Sequence, residues 1–205
     1  MPDFRSFAFA ASAAALTLAA GPALAAPAIG QPAPPFTIKD GAGQTRSLSE
    51  FKGKTVVLEW TNTGCPYVQK HYESGNMQGL QKGATKDGVV WLTLISSAPG
   101  KQGYVSPAEA KTWKATTGAG STAVLLDPTG QVGHAYEAKT TPHMYVVNPA
   151  GTLVYMGGID DKPTADPASL KGATNYVAAA LSDVKAGRPV AKAVSKPYGC
   201  TIKYG

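Results

Sequence analysis

The chain has 205 residues, 43% hydrophobic and 8% aromatic, a composition that supports one domain with a packed core and excludes a disordered or fibrous class. Its formal charge of +6 is spread over single lysines such as Lys39, Lys70, Lys86, Lys111 and Lys139. With no basic run or basic helix face, the excess reads as a contribution to solubility and excludes a nucleic-acid partner.

The first 25 residues stand apart. Arg5 precedes an uncharged apolar run over 7–20, and Gly21-Pro22 leads into Ala23-Leu24-Ala25, an A-x-A pattern. The run is short for a membrane span and fits the core of a cleaved secretory signal, an uncleaved anchor being the other reading. Cleavage after Ala25 predicts an exported, periplasmic product, residues 26–205, that starts with an Ala/Pro-rich lead-in.

FTIKDGAGQTRSLSEFKGK reads as a short strand, a turn at Gly41 and Gly43, and a segment around Leu48. It feeds TVVLEW, residues 55–60, which has the β-branched and aromatic content of a buried strand. After the small-residue turn TNTGC, PYVQKHYESGNMQGLQ is read as one helix from Pro66, ending near residues 83–88. VVWLTLISS, residues 89–97, is a continuous apolar run of the kind buried on both faces in a parallel sheet. Ser106, Pro107 and Glu109 then supply an N-cap, a first-position proline and a capping-box partner, and predict a helix to about residue 117. TAVLLD, residues 122–127, is a strand, GQVGHAYEA a short segment, and MYVVNPAGTLVYMGGID a hairpin joined at residues 148–151. A final helix is expected from Asp166-Pro167 to about residue 185, with Leu170, Ala173, Tyr176, Val177, Ala180 and Leu181 as its apolar stripe. A tail over 187–205 completes an α/β arrangement around a mixed sheet with an antiparallel pair at one side.

Two cysteines, Cys65 and Cys200, lie in the exported part. Cys65 falls at a strand-to-helix turn, ahead of unpaired backbone N–H groups and at the positive end of the helix dipole, a position that favours thiolate over thiol. The alternative is a buried structural cysteine. An even pair in an oxidising compartment invites a disulfide, but sequence does not supply the geometry a bridge requires.

The opening FTIKDGAGQTRSLSEFKGKTVVLEW, the motif Gly64-Cys65-Pro66-Tyr67-Val68, the later TTPHMYVVNPAGTLVYMGGID and the ending Gly199-Cys200-Thr201-Ile202-Lys203-Tyr204 resemble the redoxin branch of the thioredoxin-fold superfamily. They are most similar to exported, peroxiredoxin-like proteins of the AhpC/TSA type, over nearly all of residues 26–205. The resemblance implies an α/β thioredoxin-like fold, a mixed central sheet flanked by helices. Within it, Thr141-Pro142 matches a Thr-cis-Pro pair whose backbone lies beside the active cysteine and meets an extended substrate. Two features depart from the family patterns. Val68 stands where Cys-x-x-Cys reductases carry their second cysteine. Leu58 and Asn62 stand where peroxiredoxins carry Pro and Thr/Ser, and neither Arg46 nor Arg188 matches the family arginine, so peroxide chemistry is expected to be slow. What the resemblance leaves is a thiol oxidoreductase with Cys65 as nucleophile, Cys200 as resolving thiol, and Thr141, Pro142 and Asn62 facing substrate. It implies no cofactor and no metal; its partners are a small peroxide or a protein thiol or disulfide, with an external thiol reductant. The competing reading is a non-catalytic module that binds a peptide or copper and keeps a structural Cys65–Cys200 disulfide.

Lys70 and His71 follow Cys65 closely enough to add positive charge, yet residues so placed on a first helix are expected to face solvent. Copper would need two soft ligands and a histidine, drawn from Cys65, His71, His134 and His143 with Met77, Met144 or Cys200. His143 is expected to pack or lie on the surface, with tuning of Cys65 as the other reading. Asp160-Asp161 reads as a polar strand end, because adjacent strand residues point to opposite faces. Gly41-Ala42-Gly43 and Gly118-Ala119-Gly120 lack phosphate-loop spacing and read as turns, and Trp60 reads as core.

Overall fold

The computed structural model describes residues 26–205, so the expected secretory signal lies outside the described residues. Its strands are β1 (Thr37–Asp40), β2 (Thr45–Ser47), β3 (Val56–Trp60), β4 (Val90–Ile95), β5 (Ala123–Leu126), β6 (Thr140–Thr141), β7 (His143–Val147), β8 (Leu153–Gly157) and β9 (Cys200–Thr201). Its helices are α1 (Pro66–Glu73), α2 (Asn76–Lys86), α3 (Pro107–Thr117), α4 (Gln131–Ala135) and α5 (Tyr176–Lys185). Seven strands form one sheet in the order β2-β1-β5-β4-β3-β7-β8, and β6 with β9 forms a separate antiparallel pair. The central β3, β4 and β5 are parallel, while β1 and the β7–β8 hairpin add antiparallel flanks. This is the mixed sheet flanked by helices that the sequence predicts.

The central strands are buried on both faces because their apolar runs do not alternate with polar residues. Val56, Leu58 and Trp60 join Phe36, Leu92 and Tyr145 in one core layer, while Val57 joins Trp91, Val146 and Tyr155 in the other. Helices α1, α2, α3 and α5 pack on the second face, and α4 lies on the first with the lead-in and the end of the chain. Each large apolar side chain so buried contributes about 1.5–3 kcal/mol, which fixes β3 and hence the turn that follows it.

Two helices differ from expectation. The single helix predicted from Pro66 is broken by Gly75, whose φ of 76° is left-handed, and Ser74 Oγ turns back to donate to the Lys70 carbonyl at 2.7 Å. The helix predicted from Asp166 is a short 3-10 turn at Pro167–Leu170, and α5 begins only at Tyr176. Gly172 at φ 73° separates the two, and Asn175 caps α5 by accepting from the Ala178 N–H at 2.9 Å. Leu170 and Ala173 therefore stand outside the α5 stripe. The capping box at Ser106 is present as predicted, with the Ser106 N–H donating to Glu109 Oε2 at 2.7 Å and the Glu109 N–H to Ser106 Oγ at 3.3 Å.

One charged residue interrupts the buried β3. Glu59 is fully buried and accepts from Trp91 Nε1 at 2.7 Å, Tyr72 Oη at 2.8 Å and Gln81 Nε2 at 3.0 Å. Burial raises its pKa to about 7 in spite of these donors. The folded chain therefore holds this proton more tightly than the unfolded chain, so the associated stability is complete below the ordinary value of 4.5 and is lost as pH rises to about 7. The loss is about 3 kcal/mol at the standard conversion of 1.36 kcal/mol per unit. The buried His71 and His143 are depressed to about 4 and about 3, mainly by burial, and contribute with the opposite sign up to their unfolded value of 6.5. The effect of Glu59 is therefore read as a difference. Urea unfolding of Glu59→Gln across pH 4.5–8 is expected to lack a decline of this size that the wild type carries, and superimposable profiles would refute it.

Candidate active site

The tight β3–α1 turn places Cys65 at the N-cap of α1 with Pro66 as the first helical residue, and its carbonyl accepts from the Val68 and Gln69 N–H groups at 2.9 Å. Asn62 braces the turn from within. Its Oδ1 accepts from the Gly64 N–H at 2.9 Å, and its amide pairs reciprocally with that of Gln102 at 2.9 and 3.1 Å. The side chain expected to face substrate is thus engaged with the loop that carries Gln102.

Across from Cys65 runs the segment containing Thr141 and Pro142, whose peptide bond is cis. The Cys65 thiol donates to the Thr141 carbonyl at 3.2 Å. The opposite side of the site is closed by the C-terminal tail, which lies as a strap over the protein. Thr141 pairs with Cys200 and Thr140 with Thr201 in antiparallel register. Ser195 N–H donates to the Met156 carbonyl at 3.1 Å, Ile202 N–H to the Lys139 carbonyl at 3.1 Å, and Tyr204 Oη to the Ala138 carbonyl at 2.7 Å. These anchors, on both sides of Cys200, leave Cys65 with 0% exposure. Gly199 permits the crossing, because at φ 121° an added Cβ would run into the Thr141 carbonyl.

Both cysteines are free thiols, and Thr141 brings them together: its carbonyl accepts from Cys65 and its backbone pairs with that of Cys200. Burial opposes ionisation of Cys65, but the neighbouring Cys200 and Thr141 side chains, with smaller help from the backbone at Val68 and Cys200, bring its pKa below the ordinary thiol value. Cys200 moves the other way. Burial, its hydrogen bond to Cys65 and the charge on Cys65 push it up to about 12, with Lys203 a minor counterweight. The pair is therefore asymmetric, the helix cysteine ionising before the strap cysteine.

The sequence reading missed the polar cluster beneath the strap. Lys70 and His71, expected to face solvent, are buried at 1% and 0% exposure, because α1 turns this side toward the strap and the segment after β8. Asp160, expected at a polar strand end, is buried with them and accepts a hydrogen bond from Tyr198 Oη. A Lys-His pair in an otherwise amphipathic helix was the signal available, but its partners lie about ninety residues or more away in sequence, as with Lys70 Nζ and the Lys162 carbonyl (|i−j| of 92). His143 packs against Tyr145 with ring centroids 4.6 Å apart. Among the described residues no group of three or more His, Cys, Asp or Glu side chains is placed to hold a metal ion. Arg46 pairs with Glu50 at 2.9 Å and Arg188 with Asp183 at 2.7 Å, both away from Cys65.

A cysteine at the β3–α1 turn, a cis proline beside it and a mixed sheet carrying both define a thioredoxin-fold protein of the redoxin type. The chain belongs to the AhpC/TSA family, whose model matches residues 29–156. It is 27% identical over 132 residues to the thiol-disulfide oxidoreductase ResA of Bacillus subtilis strain 168, a match covering 61% of this chain and 64% of that protein, less than two thirds of its length. A crystal structure of an uncharacterized conserved protein from Geobacillus kaustophilus is similar at 26% identity and a TM-score of 0.71, covering 87% of this chain and 93% of that one. A hypothetical protein from Sinorhizobium meliloti 1021 matches at 22% identity and a TM-score of 0.72 over 87% of this chain and 95% of its own, and shares the fold.

Proposed function

We propose that this protein is a two-cysteine thiol-disulfide oxidoreductase acting on protein disulfides, with Cys65 as the attacking thiolate and Cys200 as the resolving thiol. The observation that carries this reading is the meeting of the two free thiols at Thr141, whose carbonyl accepts from Cys65 and whose backbone pairs with Cys200. In the reducing direction, Cys65 Sγ attacks one sulfur of a substrate disulfide, forms a mixed disulfide and releases the other substrate sulfur as a thiolate, which takes up a proton. That step discharges Cys65 and removes the negative charge that helps hold the proton on Cys200. Cys200 then gives up its proton and attacks Cys65 Sγ, forming the Cys65–Cys200 disulfide and releasing the second substrate thiol. One substrate disulfide becomes two thiols and the enzyme dithiol becomes a disulfide, which an external thiol reductant restores. The Thr141 backbone, now paired with Cys200, is the edge that an extended substrate segment would take. Pro142 shapes that edge, and Asn62 holds the turn that presents Cys65. The apolar run at 7–20 and the A-x-A pattern support an exported, periplasmic setting for residues 26–205.

Peroxide is the less favoured oxidant, because Leu58 is core and Asn62 is engaged with Gln102, so no charge-assisted donor is supplied at the peroxidatic positions. The test is incubation of reduced Cys200→Ser with a disulfide-containing protein, followed by acid trapping and mass spectrometry. A mixed disulfide at Cys65 that accumulates in the variant and is transient in the wild type is the expected result. No adduct at Cys65, or rapid sulfenic acid formation with peroxide and none of the mixed disulfide, would overturn it.

A further inference from the structure

The strap is fixed near Cys200 by a side chain two residues earlier. Tyr198 Oη donates to Asp160 Oδ1 and lies 3.3 Å from His71 Nε2 and 3.5 Å from Lys70 Nζ. The proton positions follow from the neighbours. The Asn76 amide nitrogen lies 2.8 Å from His71 Nδ1, so it donates there and places the proton of the neutral ring on Nε2, facing Tyr198. An oriented chain runs from Asn76 through His71 and Tyr198 to Asp160. Lys70 Nζ also donates to the Lys162 carbonyl at 2.8 Å and stands 5.2 Å over the Tyr198 ring, joining α1, the segment after β8 and the strap in one buried cluster. Asp160 Oδ2 is buried without a hydrogen-bond partner, so the cluster carries a cost that apolar packing would avoid. Helix α1 presents Cys65 at its start and holds Tyr198 through Lys70 and His71 about one and a half turns later, which ties the two thiols to one rigid element.

We propose that Tyr198 is a positioning residue for the exchange between the two thiols, its hydroxyl held by Asp160, His71 and Lys70 so that Cys200 stays over Cys65. The proposal rests on the two-cysteine reading above. Held in this way, Cys200 acts at a high effective concentration toward Cys65, and release of the hydroxyl lowers that concentration without changing either thiol.

The test is Tyr198→Phe, which keeps the ring and removes the hydroxyl, with Asp160→Asn as a second variant should the first fail to fold. Equilibration with glutathione redox buffers, well below each variant's melting midpoint, gives the effective concentration of Cys200. A decrease of about 10-fold is expected. In a Cys200→Ser background, iodoacetamide alkylation of Cys65 is expected to accelerate by a similar factor as the strap lifts. A purely structural tyrosine would lower the melting midpoint and leave both readouts within about twofold, which would overturn the proposal. If the wild type forms no intramolecular disulfide at any glutathione ratio, the two-cysteine reading falls and takes this inference with it. A wild-type disulfide with an unchanged variant sinks the inference alone.

Discussion

Cys65→Ser is expected to lose more than about 10³-fold of disulfide-exchange turnover, while its far-ultraviolet spectrum and melting behaviour stay near those of the wild type. The size follows from chemistry. A serine hydroxyl at this helix start does not ionise in the working range, and Cys200 cannot substitute because burial still disfavours its ionisation and it lies on the strap, away from the helix start. Cys200→Ala should behave differently. It leaves the first attack intact, so one equivalent of substrate thiol is released per chain before the reaction stalls as a mixed disulfide. It also removes the neighbouring thiol that favours ionisation of Cys65, so the alkylation rate of Cys65 should titrate at higher pH than in the wild type. Equal loss in the two variants, with no burst in either, would show that the thiols do not act in sequence.

The second large effect is expected at Gly199. A valine there meets a φ of 121° and places its Cβ against the Thr141 carbonyl, so the pairing of Thr141 with Cys200 is lost. Backbone strain of this kind costs on the order of 1–3 kcal/mol before any clash is counted, so with the clash the strap's closing equilibrium should shift by about 100-fold or more. Gly199→Val should therefore show Cys65 alkylated faster by up to that factor, and a Cys65–Cys200 disulfide correspondingly harder to form against glutathione. Gly199 itself lies in neither core layer, but Tyr198 and Ile202 of the strap do, so the melting midpoint should fall as well while the sheet and its helices stay folded. Slow alkylation in a well-folded variant would mean that something other than the strap covers the thiol.

Most of the fold was legible because its signals are local. The unbroken apolar runs of β3 and β4, the Ser106 capping box and the Asn148 turn each declare themselves within a few residues. Helix boundaries were less legible where a glycine decides them. Gly75 and Gly172 sit inside segments with helical periodicity, and only their left-handed backbone shows that the helix stops. At the site, Cys65 and Thr141-Pro142 were visible as motifs. Burial of Lys70, His71 and Asp160 was not, because it depends on a strap folding back from the far end of the chain, and no local pattern encodes which side of α1 that strap will cover. Glu59 was passed over for a similar reason, since its donors Tyr72, Gln81 and Trp91 come from three other elements.

The antiparallel pairing of Cys200 with Thr141 also bears on discrimination among partners. A segment that pairs with the Thr141 backbone must displace a strand already there, so its apparent affinity is its intrinsic affinity multiplied by the fraction of molecules with the strap open. The protein then carries its own competitor. On the proposed function, weak or accidental disulfides fall below that threshold, and a partner is chosen by how well it outbids one tethered rival.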